Sequence, residues 1–317
     1  MPIPQWCLDN PGTILGTRTQ VCDISSWTYK TYRQQNGQST VTGEASLTVI
    51  NYAYSSTKAP NWIHQFEVAA TEASWGAARN ASVSADASAS GDCKPDSQGS
   101  SFSRGRLFPA ATWRQGEAGF QTTATARGAI GKCETTWKMD ITNSGHPTRT
   151  TRFARDHIRC DNATGGRWRT VGCVVPWYAP TLTYSRSDYP GLASHVDRAQ
   201  KSGLPGATAE APLIRTTDAA VINTNRTRAC GDAPSLTGLS CDEYPFATTR
   251  QGLSNGGERR TFDGCSFTGL PTQTGSKGVS VCMIPVRDQN AQGGLNSAFY
   301  TQQRVLDGDR FTVKIVG

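Results

Sequence analysis

Cys241-Asp242-Glu243-Tyr244-Pro245-Phe246-Ala247-Thr248-Thr249 sets two adjacent carboxylates beside a cysteine, an aromatic ring and a proline. A carboxylate in a cleft can take a proton from water or bind a hard cation. Neighbouring side chains of a strand point to opposite faces. Asp242 and Glu243 are therefore expected to do different work, one at a cleft and the other toward solvent or behind it. Pro245 cannot donate to a ladder, so the strand should start, end or bulge there. An exposed acidic turn closed by a disulfide is the plainer alternative, since Asp and Pro are both turn residues.

Three further segments keep a fixed order with this one: Tyr189-Pro190-Gly191-Leu192-Ala193-Ser194-His195-Val196 before it, then Asp288-Gln289-Asn290-Ala291-Gln292-Gly293-Gly294, then Asp307-Gly308-Asp309-Arg310-Phe311. In this order they resemble the NucA/NucB family of secreted bacterial deoxyribonucleases, over about residues 181–317. Tyr244 stands where tryptophan is common in the family, which should affect packing more than chemistry.

The elements that must position these residues can be read from pattern. A helix should begin at Pro190, with Leu192, Val196 and Ala199 on one face and Gly203 past its end. A second is expected from about Asp218 to Arg228, with Thr217 as N-cap. Gly278 to Arg287 reads as a strand, Asp288 to Gly294 as a turn or loop, and Leu295, Phe299, Gln303 and Leu306 as a helix face. Arg310 to Val316 closes the chain as a strand. Strand, long loop, strand, short loop and helix over 241–305 match the ββα-metal arrangement of one-metal nucleases.

The resemblance implies an endonuclease acting on DNA, with RNA as a second candidate polymer. Asp242 is implied as general base, and Glu243 is the other catalytic candidate. Mg²⁺ or Mn²⁺ is the expected cofactor, held by Asn290 with help from Asp288, Gln292 or Glu243, since oxygen ligands suit those ions. Arg250 and Arg287 are candidate phosphate clamps. His195 is counted with them as a substrate-binding candidate, although its helical position favours a structural role. Two other readings share these residues: a secreted surface- or carbohydrate-binding protein with an inactive nuclease-like domain, and an antibacterial nuclease toxin.

The chain has ten cysteines, no C-x-x-C pair and four histidines. That argues against structural zinc and for disulfides in an oxidising, extracellular compartment. If Asp242 and Asn290 oppose each other across antiparallel strands, Cys282 falls opposite residue 250, too far along from Cys241 for a bridge. That removes one of the three pairings four cysteines allow; of the two left open, Cys230–Cys241 with Cys265–Cys282 is the expected set. Met1-Pro2-Ile3-Pro4 lacks the basic start and apolar core of an export signal, so a chain from which the signal has been removed is expected. No apolar run approaches a membrane span, and a monomer is expected. The formal charge of +7 suits an anionic partner.

With 317 residues, two domains are expected, divided at the proline-flanked 175–180 stretch: a disulfide-stapled, sandwich-like all-β domain over 1–178 and an α+β nuclease domain with a ββα-metal core over 179–317. The first half offers strands at Ser46–Ser55, Asn61–Val68, Gln121–Ile130 and Trp137–Ile141, with the Ala/Ser-rich 81–91 segment as a surface loop or edge. All eight tryptophans lie there and are expected to fill its core rather than form a binding platform. Arg149, Arg152, Arg155, Arg159, Arg167 and Arg169 are expected on a solvated strand face, with phosphate binding as the alternative. His64, His146 and His157 are read as structural.

Overall fold

The computed structural model describes residues 1–96, 101–165, 170–272 and 274–317, without the side chains of Asp156 and His157. Arg167, Trp168 and Arg169 lie outside the described residues. The chain divides into two compact units, one running to Pro176 apart from a short stretch near Thr164, the other from Trp177 to Gly317.

The first unit is built from β1 (Gln20–Gln35), β2 (Gln38–Ser55), β3 (Asn61–Ala70), β4 (Ser82–Gly91), β5 (Arg114–Thr122), β6 (Ile130–Asn143) and β7 (His146–Asp161). β1, β2, β3 and β5 are neighbours in one sheet; β7, β6 and β4 are neighbours in the other. Alternation explains the packing. Trp62, His64, Phe66 and Val68 of β3 are all buried, and the Phe66 ring lies against Trp137 of β6 and Phe153 of β7. Three disulfides staple this unit: Cys7–Cys22, Cys93–Cys133 and Cys160–Cys173.

Several expectations change here. The Ala/Ser-rich segment is β4, an interior strand paired with β6 on one side and Ser101–Arg106 on the other. Its inward Val83 and Ala85 are buried, so small residues here serve close packing rather than a loop. Gln121–Ile130 is not a strand, because β5 ends at Thr122 and β6 begins at Ile130. The tryptophans do not all fill the core: Trp62 and Trp137 are buried, while Trp27, Trp75, Trp113 and Trp177 are exposed. Of the arginines on β7, Arg149 and Arg152 are exposed, whereas Arg155 and Arg159 are buried beside Asp23 and Asp161.

The second unit contains β8 (Thr181–Ser185), α1 (Pro190–Lys201), α2 (Ala219–Cys230), β9 (Leu239–Tyr244), β10 (Val279–Pro285), α3 (Val286–Gln302) and β11 (Arg310–Val316). β8 runs parallel to β11, and β9 pairs antiparallel with β10. Pro190 sits in the first turn of α1, and Gly203 beyond it takes φ +98°, as a glycine past a helix end can. The N-cap of α2 is Asp218, not Thr217: its carboxylate accepts from the backbone of Ala220 and Val221. Asp288 to Gly294 is not a loop. It forms the first turns of α3, despite adjacent glycines, because packing of the helix against the core outweighs their low propensity.

The first unit should carry an acid-sensitive core. Asn51 donates its amide nitrogen to Nε2 of His64 and accepts from Arg155 at 2.8 Å through its oxygen. Burial, then the charge of Arg155, hold the His64 pKa well below 6.5. The unfolded chain can take a proton that the folded one cannot. Stability is thus complete above about pH 6.5 and falls below it, by up to about 1.4 kcal/mol per pH unit. Thermal unfolding followed from about pH 7.5 down to 5 should show this loss, and His64→Gln should flatten it.

Candidate active site

β9 and β10 pair Cys241 with Met283, Asp242 with Cys282 and Tyr244 with Ser280. One face of this ribbon therefore carries Asp242, Tyr244, Ser280, Cys282 and Ile284. Tyr244, Cys282 and Ile284 share a core with Leu192, Val196 and Ala199 of α1. The other face carries Cys241, Val279 and Val281, packed around Ala229 of α2.

This register corrects the geometric argument for the disulfides. Cys282 lies opposite Asp242, not residue 250, because Asn290 belongs to a helix and strand register cannot be carried through it. The bridges are nonetheless Cys230–Cys241 and Cys265–Cys282. The pleat sends Cys241 and Cys282 to opposite faces, and each bonds the cysteine on its own side.

Asp242 is 1 % exposed. Nδ1 of His195, on α1, donates to its Oδ2 at 2.7 Å, and Nε2 of His195 meets the hydroxyl of Ser280. Oδ1 of Asp242 is buried without a hydrogen-bond partner. One oxygen is thus fixed and the other left to act. His195 is itself buried and does not line the cavity beside Asp242. Its ring nitrogens face Asp242 and Ser280.

That cavity, of about 370 Å³, is lined by Asp242, Glu243, Arg226, Gln289, Gln292 and Asn296 among others. β9 is an edge strand, so a cavity beside it is reached from both faces. Both carboxylates line it, contrary to the expectation that one would face solvent or lie behind the other. Burial first, and the charge of Asp242 second, push the Glu243 carboxyl up to about 7, while Arg226 pulls it down.

α3 supplies Gln289, Gln292 and Asn296 at i, i+3 and i+7, one helical face. Oε1 of Gln289 and Nε2 of Gln292 are buried without partners. Asn290 is one residue, or about 100°, out of this phase; it is exposed and does not line the cavity. Asp288 is buried but turned elsewhere. Its Oδ2 accepts from the backbone of Gly191 at 2.9 Å and Leu192 at 3.2 Å, capping α1. Of the expected ligands from this segment, only Gln292 reaches the cavity. Gln289 and Asn296 would have been found had 288–294 been read as helix.

The expected phosphate clamps lie elsewhere. Arg250 pairs with Asp307 at 3.1 Å and lines a separate hollow with Thr216 and Asp218. Arg287 is exposed and lines neither. The cations at the carboxylates are Arg226, exposed and without a hydrogen bond or ion pair among the described residues, and Arg215, which lies 4.3 Å over the Tyr300 ring.

Among the described residues no group of three His, Cys, Asp or Glu could hold a metal ion. The oxygen set of Glu243, Gln289 and Gln292 fits a hard cation that retains several waters, and the unpartnered Oε1 of Gln289 is an acceptor in need of one. No curated protein matches the chain. Residues 206–314 match the family model described as deoxyribonuclease NucA/NucB, a match that begins after the helix bearing His195. The match falls within the second unit, over β9 and α3, which line the cavity.

Proposed function

We propose that the C-terminal unit is a secreted, divalent-cation-dependent endonuclease that hydrolyses phosphodiester bonds of DNA, with Asp242 as general base. The observation that carries this reading is the buried Asp242 carboxylate, with one oxygen held by His195 and the other unpartnered beside the cavity. β9, β10 and α3 around it make a ββα arrangement in which the base comes from the first strand and amide ligands from the helix. Five disulfides support an extracellular setting.

Hydrolysis needs water to lose a proton as it attacks phosphorus. Oδ1 of Asp242 accepts that proton, and His195 keeps the carboxylate from rotating away. Arg226 offsets the charge of the phosphate. Glu243, Gln289 and Gln292 would hold the cation, which would supply positive charge against the charge that develops during hydrolysis. Glu243 suits this role because, next to Asp242, it gives up its proton near neutrality and then needs a positive partner. Plasmid nicking with Mg²⁺, and its loss in EDTA, tests the whole reading; undiminished cutting in EDTA would contradict it.

The two carboxylates should separate by variant. Asp242→Asn keeps the shape but cannot accept a proton, so kcat should fall by about 10²–10⁴, with no rescue by excess Mn²⁺. Glu243→Gln should raise the metal concentration needed for half-maximal rate, and Mn²⁺ should restore part of the activity. Steady-state cleavage across a metal titration decides between these roles.

A second expectation concerns charge. Carboxyl ¹³C resonances of the metal-free protein should show Glu243 titrating near 7. In Asp242→Asn that midpoint should fall, because one of its two causes is removed. Since this acid is shifted upward, the folded state loses stability as the pH rises through the range from about 4.5 to 7. Glu243→Gln should therefore stabilise the metal-free protein above neutrality and change it little in acid.

A further inference from the structure

The first unit holds a feature that hydrolysis does not use. A groove of about 420 Å³ runs beside β1 and continues into a second hollow of 340 Å³ that shares Tyr29, Lys30, Tyr32 and Arg149 with it. From Trp27 to Gln35, β1 is paired with β2 alone. Its other edge is open among the described residues, and the start of β7 contributes to the wall together with Met139 and Ile141 of β6.

The lining has a consistent chemistry. Trp27 and Tyr32 are 41 % and 44 % exposed, large rings that a folded protein would ordinarily cover. Trp27 is not loose: its ring packs edge-on to Phe153 at 5.0 Å, and its Nε1 donates to Ser25. Arg149 is exposed and has no hydrogen bond or ion pair among the described residues. Lys30 is held by Glu44 at 2.9 Å and contributes less. No carboxylate lines either hollow.

We infer that this groove binds single-stranded nucleic acid, with bases stacked on Trp27 and Tyr32 and a backbone phosphate at Arg149. Flat rings accept any base on their π faces, and a guanidinium supplies the charge that the backbone requires. No carboxylate in the lining repels a chain of phosphates, and the guanidinium of Arg149, unpaired among the described residues, favours an anionic chain over a neutral one. The inference stands on the first unit alone and does not depend on which residue performs hydrolysis.

Binding is measured on the full chain by fluorescence anisotropy, with a labelled single-stranded oligodeoxynucleotide bearing phosphorothioate linkages to resist cutting. Tyr32→Ser should weaken binding about tenfold. Arg149→Ala should reduce the slope of log K against log salt by about 0.7. Hydrolysis of bis(p-nitrophenyl) phosphate should be unchanged in both. Both side chains are exposed, so circular dichroism should match the wild type; Trp27→Ala is a third variant, and the other two decide the matter if it unfolds. Affinities within about twofold of wild type in both Tyr32→Ser and Arg149→Ala, against the stacking expectation, would overturn the inference. So would heparin binding more tightly than the oligonucleotide and depending on the same two residues, which would assign the groove to an anionic polysaccharide.

Discussion

A buried carboxylate must be compensated, and most of the C-terminal unit is arranged around compensating Asp242. An ionised group out of water costs several kcal/mol unless it is paired and hydrogen-bonded. Here the partner is His195, and His195 is in turn held by Ser280 from the neighbouring strand. For His195 to arrive there, α1 must lie across β10 at a fixed height. Asp288 sets that height by capping the first backbone amides of α1 from the first turn of α3. Gly191 allows the approach, because a Cβ there would stand 2.6 Å from Pro285 and 3.1 Å from Asp288. One chain of contacts thus links the start of α3 to the orientation of Asp242. The residues of the Asp288 segment that do not face the cavity still serve it.

Much of this is legible in the sequence, and the gaps have physical causes. Pro190 with the Leu192, Val196 and Ala199 spacing marks α1, and alternation marks β3 and β11. Asp242 stands out as the centre, and the family match over 206–314 agrees with the region the motifs point to. Sequence reasoning fails where local propensity and tertiary packing disagree. Gly293 and Gly294 suggest a loop where the chain is helical, and it is the helix phase that brings Gln289, Gln292 and Asn296 to the cavity and leaves Asn290, expected from the resemblance, exposed. His195 is another such case. Nothing along the chain says that a histidine 47 residues away will bond to Asp242; only the packing of α1 on β10 reveals it.

The disulfides show how a correct pairing can come from an incorrect distance. The bridges depend on which face each cysteine occupies, not on how far apart they lie along the strands. Cys241 and Cys282 are one register step apart and still cannot meet, since Cys241 turns toward α2 and Cys282 toward the core shared with α1. Each bridge therefore ties a different flank to the ribbon that carries Asp242: Cys230 brings in the end of α2, which also bears Arg226, and Cys265 brings in the long glycine-rich excursion.

The central claim is that His195 acts through Asp242, holding one oxygen so that the other can take a proton. A double-mutant cycle on kcat isolates that coupling. His195→Gln alone should lower kcat, by as much as about 10² if the carboxylate loses its orientation, while KM changes little. Added to Asp242→Asn, it should cost almost nothing more, because the group it orients is already disabled. If the two losses instead multiply in the double variant, with all four proteins folded, His195 contributes independently of Asp242 and the account is wrong at its centre.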